Sequence, residues 1–169
     1  MFEMERNFYR PAHATAVLQG SGEYPGIKGA VCFYQTGQGV LVTAEVTGLP
    51  IGGDSCDTPI FAFHIHEGGR CTGNAADPFA DVRTHYNPDE CAHPYHAGDL
   101  PPLFGNNGYA FMAVLTDRFT VSEILGRTVV IHRDPDDFHT QPAGNAGVKI
   151  ACGEIRGRSL HKVDKPVQP

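Results

Sequence analysis

The chain has 169 residues, enough for one domain with a true hydrophobic core, and no second domain is expected. Nineteen acidic residues against 13 basic ones give a formal net charge of −6. That balance argues against nucleic-acid and anionic-membrane partners and leaves any anionic substrate to be drawn by local charge. With 20 Gly and 13 Pro the chain is rich in turns. Its apolar runs are strand-sized, so neither a membrane-spanning helix nor a long amphipathic one is expected. Residues 1–10 mix Glu3, Glu5, Arg6 and Arg10 with isolated aromatics and contain no apolar leader core, which sets the expectation of a cytoplasmic protein. Five cysteines (Cys32, Cys56, Cys71, Cys91, Cys152) are an odd number, so at least one thiol is free if all pairing is internal.

In chain order, residues 13–18 read as a first strand, with Gly20-Ser21-Gly22 and Pro25-Gly26 as the loop behind it. Residues 29–35 and 40–46 form a hairpin around Gly37-Gln38-Gly39; Val31 and Phe33 share a face, and Cys32 sits opposite as a small inert hydrophobe. Residues 48–59 are a loop by composition and lead into Phe61-Ala62-Phe63-His64-Ile65-His66. Alternation on a strand puts Phe61, Phe63 and Ile65 on one side and Ala62, His64 and His66 on the other, so two imidazoles are backed by a rigid apolar platform. Residues 70–102 run for more than thirty positions without periodicity, which in a compact domain points to a functional or metal-tied loop. This stretch carries His85, His93, His96 and Asp99.

Asn106-Asn107-Gly108 is a hairpin-type turn into a strand at residues 109–116. Thr120 and Glu123 have capping-box spacing and Gly126 can stop the resulting short helix. Residues 127–132 form a strand on which His132 shares a face with Val130, repeating the arrangement at His64 and His66. A loop at residues 133–147 precedes a closing strand at residues 148–155. Short strands, almost no helix and loops bunched around histidines indicate an all-β sandwich or flattened barrel. His64, His66, His85, His93, His96, His132 and Asp99 are too many ligands for one tetrahedral site. Two metals sharing a ligand account for them: an imidazole-rich site suited to copper and a mixed imidazole and carboxylate site suited to zinc.

Phe63-His64-Ile65-His66-Glu67-Gly68, His85-Tyr86-Asn87-Pro88, His96-Ala97-Gly98-Asp99-Leu100, Val130-Ile131-His132 and Gly144-Asn145-Ala146-Gly147 through Ala151-Cys152-Gly153 closely resemble the copper/zinc superoxide dismutase family. The resemblance spans residues 13–157, leaving 1–12 as an extension and 158–169 as a tail. It implies a Greek-key flattened β-barrel of about eight antiparallel strands with long metal-binding loops. It further implies copper held by His64, His66, His85 and His132, zinc held by His85, His93, His96 and Asp99, and His85 bridging the two. Asp136 matches the carboxylate that ties a copper-binding His to a zinc-binding one, and Cys71 and Cys152 match the family disulfide. The implied activity is disproportionation of superoxide to oxygen and hydrogen peroxide, with His85 serving proton transfer. Family members include dimers that associate through different surfaces, so a homodimer is compatible with the chain.

Three departures stand out. Lys149 occupies the place of the family's substrate-guiding Arg and keeps the charge without the planar fork of donors. His93 and His96 are only three residues apart, a compressed zinc loop. The loop at 133–147 is short and lacks the family's lysines. Cys56 and Cys91 have no family counterpart; a second disulfide between them, two free thiols, and Cys91 as a zinc ligand are the alternatives. His13, His139 and His161 are expected to be structural or surface residues. Two other functions compete with the enzyme: a copper buffer or delivery domain with the same metals and no turnover, and a cupin-like mononuclear site. The cupin pattern requires a Glu a few residues after the second His, whereas Glu67 follows His66 immediately.

Overall fold

A computed structural model describes residues 11–54 and 59–158. Cys56 and His161 lie outside the described residues. Eight strands appear in chain order: β1 (Ala14–Gly20), β2 (Lys28–Thr36), β3 (Gly39–Thr47), β4 (Ile60–His66), β5 (Asp99–Phe104), β6 (Ala110–Thr116), β7 (Thr128–His132) and β8 (Lys149–Gly157). A single helical turn, α1 (Val121–Ile124), carries the expected capping box between Thr120 and Glu123. The strands pair antiparallel in the order β5-β4-β7-β8-β1-β2-β3-β6, and β5 and β6 meet at the seam of a nearly closed barrel. Sequence neighbours are separated where the chain crosses from β3 to β4 and from β6 to β7, the Greek-key feature the resemblance implied.

Strand alternation accounts for the core. Ala14, Ala16, Leu18, Val31, Phe33, Val42, Phe63, Ile65, Val129 and Ile131 are fully buried, or nearly so, and belong to one continuous cluster. Val17 on β1 and Phe111 on β6 face the opposite way and are exposed. The Asn107-Gly108 turn takes positive φ at both positions (51° and 82°), the geometry that joins two twisted strands through two residues and that Gly adopts without steric cost.

The structure corrects one boundary. Residues 99–102, read as the end of the irregular stretch, begin β5, and a turn of 3-10 helix at Ala80–Val82 interrupts the stretch earlier. Pro101 and Pro102 hid the strand. They are tolerated because β5 lies at the end of the hydrogen-bonded order and pairs only with β4, so missing amide donors cost least there. β4 differs from the simple one-face picture in another way: both faces are buried. The long loop covers the imidazole face and bonds to the strand directly, with Ile65 donating its N–H to Gly98 O at 2.8 Å and accepting from Tyr86 N–H at 2.8 Å.

Cys71 and Cys152 form a disulfide across 81 residues of sequence. It clamps the start of the long loop to β8, beside Val130 on β7. Cys32 is half-buried, and Cys91 is exposed with a free thiol. His13 is exposed and accepts the Gln35 N–H at 3.1 Å, extending the β1–β2 ladder by one bond.

Candidate metal centre

β4 and β7 lie side by side, with His64 opposite Val130 and His66 opposite Thr128. A register shift between Ile131 and His132 adjusts the end of β7 against β8. His85 arrives from the long loop through a bridge to His66. His64, His66, His85 and His132 thus present nitrogen atoms that all lie within 4.8 Å of one another, and so do the ligand atoms of His85, His93, His96 and Asp99. His85 belongs to both groups, and all seven residues are buried. Cys91, in contrast, is exposed and belongs to neither.

The compressed spacing of His93 and His96 does not prevent convergence. A turn closed by Tyr95 N–H to Ala92 O at 2.9 Å brings both rings toward Asp99. His93 Nδ1 stands 3.1 Å from Asp99 Oδ2, and His96 Nδ1 stands 3.3 Å from Asp99 Oδ1.

Hydrogen bonds to groups outside the two clusters settle the free nitrogen of His64, His66, His93 and His132. A ring nitrogen that donates to such a carbonyl or carboxylate oxygen carries the proton, which leaves the other nitrogen with a lone pair. His66 Nδ1 donates to Arg83 O (2.8 Å) and His132 Nδ1 to Gly147 O (3.2 Å). His64 Nε2 and His93 Nε2 donate to the two oxygens of Asp136, at 2.7 and 2.8 Å. Asp136 therefore ties the first group to the second. The unprotonated nitrogens point inward: His66 Nε2 and His132 Nε2 face each other at 3.2 Å. His64 Nδ1 and His85 Nε2 are buried without a hydrogen-bond partner, and His93 Nδ1 makes no hydrogen bond although Asp99 Oδ2 stands 3.1 Å away. Lone pairs aimed at one another and orphaned in a dry interior are costly unless a cation lies between them, so the donor set fits a pair of metal ions.

Titration behaviour agrees with this. Burial pushes His64 down to about 4 against the opposing pull of Asp136. Burial, assisted by neighbouring His64, pushes His132 down to about 3, and burial likewise lowers His66 and His96. For Asp99, burial works upward but is outweighed by the hydrogen bond and charge of His85, so the carboxyl lies below its ordinary range. Asp136 follows the same pattern, with bonds from His64, Phe138 N–H and His93 overriding its burial. Those imidazoles are neutral and both carboxylates charged at pH 7, the states in which the rings and Asp99 can act as ligands and Asp136 can accept from the rings.

Several contributors were not legible in the sequence. Gln141 holds the backbone of His93 at both ends, accepting its N–H at 3.0 Å and donating to its O at 2.7 Å. Arg118 Nη1 donates to Asp99 O at 3.2 Å. These bonds run to backbone atoms from distant loops, and no local pattern announces them. Gly144 has a signal, as part of Gly-Asn-Ala-Gly: a Cβ there would come 2.0 Å from Asp136 Oδ1, and its φ is +63°.

Lys149 lies opposite His132 in the β7–β8 ladder and lines, with His66, His85 and His132, a cleft of about 580 Å³. Its ammonium is engaged by the Asp77 carboxylate and, at 3.3 Å, by Phe79 O. His139 is exposed and bound to its own loop at Asp137.

The copper/zinc superoxide dismutase family model matches residues 27–155. "Superoxide dismutase [Cu-Zn] 2" of Aquifex aeolicus (strain VF5) is 34% identical over 160 residues, covering 86% of both chains. "Superoxide dismutase [Cu-Zn] 1" of the same organism is 35% identical over 139 residues, 72% of this chain and 76% of the relative. A Legionella pneumophila "Superoxide dismutase [Cu-Zn]" is 34% identical over 150 residues, 84% of this chain and 86% of its own. Among solved structures, the Cu/Zn superoxide dismutase from Brucella abortus superposes with a TM-score of 0.70 at 25% identity, covering 83% of this chain and 98% of that one.

Proposed function

The chain belongs to the copper/zinc superoxide dismutase family, and from that premise we infer that it disproportionates superoxide to oxygen and hydrogen peroxide. The observation that carries the reading is the inward-facing set of unprotonated, buried ring nitrogens. His64 Nδ1, His66 Nε2, His132 Nε2 and His85 Nε2 form the all-imidazole cradle, which suits copper. His93 Nδ1, His96 Nδ1, Asp99 and His85 Nδ1 form the mixed cradle, which suits zinc. Copper held in the all-imidazole cradle would supply the one-electron redox couple that disproportionation requires.

The chain's residues do the rest. Asp136 and the carbonyls of Arg83 and Gly147 hold the rings in register by taking their outer protons. His85 offers a nitrogen to each side and is suited to hold a proton at Nε2, the atom turned toward His64, His66 and His132, for transfer to reduced substrate. Lys149 places positive charge at the cleft, shared with Asp77.

The competing reading, a copper buffer or delivery domain, requires a sealed metal. The cleft that reaches His66, His85 and His132 supports an accessible one. Metal analysis of the purified protein together with a superoxide-decay assay tests the assignment. The expected result is copper and zinc in equal amounts per chain and rapid decay that disappears with copper removal. A loaded but redox-inert protein would refute it.

A further inference from the structure

With a net charge of −6, the chain must attract an anion through a local cation. The cleft over the imidazole cradle is lined by two basic residues, Lys149 and Arg83, and by two acidic ones, Glu67 and Glu90. Lys149 is not at liberty, because its ammonium is bound by Asp77 and Phe79 O. Arg83 is different. Its backbone is anchored, with φ of 63° just past the 3-10 turn and with its carbonyl accepting the His66 Nδ1 proton at 2.8 Å. Its side chain is exposed and, among the described residues, pairs with no carboxylate. A cation without an ion pair among the described residues, two residues before His85, thus belongs to the lining of the cleft.

We propose that Arg83 is the anion-steering residue of this site, taking over the guiding charge that Lys149 shares with Asp77. The planar guanidinium suits a small oxyanion better than an ammonium does, through its fork of donors. The inference rests on the dismutase reading for its substrate but not for its test, which uses azide as a small anion that binds copper.

In the copper- and zinc-loaded protein, Arg83→Gln keeps the backbone carbonyl on His66 and removes only the charge. Azide affinity, read from the visible absorption of copper, should fall by about threefold to tenfold, and Arg83→Lys should restore most of it. The second-order rate with superoxide should fall by a similar factor at low ionic strength and depend less on added salt. Metal content should not change. Unaltered azide affinity and an unaltered salt dependence would overturn the proposal. Loss of copper from Arg83→Gln would overturn it too, since the residue would then act through His66. If the wild-type protein fails to consume superoxide while azide affinity still follows residue 83, the dismutase reading falls and the steering charge stands.

Discussion

The two candidate metal cradles are built in different ways. On the all-imidazole side, three of the four rings come from paired strands: His64 and His66 from β4, His132 from the end of β7. Their backbones are set by the sheet and their outer nitrogens by Asp136, Arg83 O and Gly147 O. On the mixed side, His93 and His96 come from a loop, and Asp99 from the first residue of an edge strand. Distant side chains hold that loop in place, Gln141 at His93 and Arg118 at Asp99. A sheet-built cradle is prepaid by barrel folding, whereas a loop-built one depends on a few polar contacts that water can replace.

The largest expected effect tests the strand side. His132→Ala should abolish copper binding and cut superoxide decay by more than about 100-fold, beyond the usual loss for removing an outer partner. Zinc should remain, because none of the residues assigned to it is touched. Metal content by mass spectrometry beside the decay assay reads both, and loss of both metals would show that the two cradles are not separable.

Cys152→Ser releases the loop from β8 without altering a ligand. For a closed loop of 81 residues, chain entropy predicts a loss of about 4–5 kcal/mol in the metal-free protein, measurable as a lower urea midpoint. An unchanged midpoint would place the anchoring of the loop in its other contacts.

Acid should weaken the metal-free fold through the same rings. His64 and His132 have native values of about 4 and about 3, below the ordinary imidazole value, so the unfolded chain takes up protons first as pH falls. Stability is complete above about pH 6.5 and declines toward pH 3–4, by on the order of 3–5 kcal/mol per ring. Denaturant melts at stepped pH would show this slope, and a flat profile over pH 4–6.5 would mean that the native rings already accept protons there.

The smallest effect sharpens the loop side. Gln141→Ala removes both bonds to the His93 backbone and should weaken zinc by about tenfold while leaving copper affinity unchanged. Competition with a colorimetric chelator measures each. Equal weakening of copper would remove the distinction between the cradles.

How far the sequence reached follows the same division. Period-two alternation placed seven of the eight strands, because a side chain's face depends only on its immediate neighbours. β5 escaped because Pro101 and Pro102 contradict a strand, and only its position at the barrel seam makes them acceptable. The ligand types and their order along the chain were legible because imidazole and carboxylate are the chemistry itself. Gln141, Arg118 and the carbonyl of Arg83 were not, since their parts depend on which distant backbone atoms they meet.

Taken alone, the sequence determined the fold class, the metal-binding residues as candidates, and a departure from the family at Lys149. Tertiary structure decided which nitrogen of each ring faces inward, that the shortened spacing of His93 and His96 still converges, and that Lys149 spends its charge on Asp77 while Arg83 keeps its own. Those outcomes rest on hydrogen bonds and ion pairs between residues far apart in the chain, and such contacts exist only once the barrel has closed.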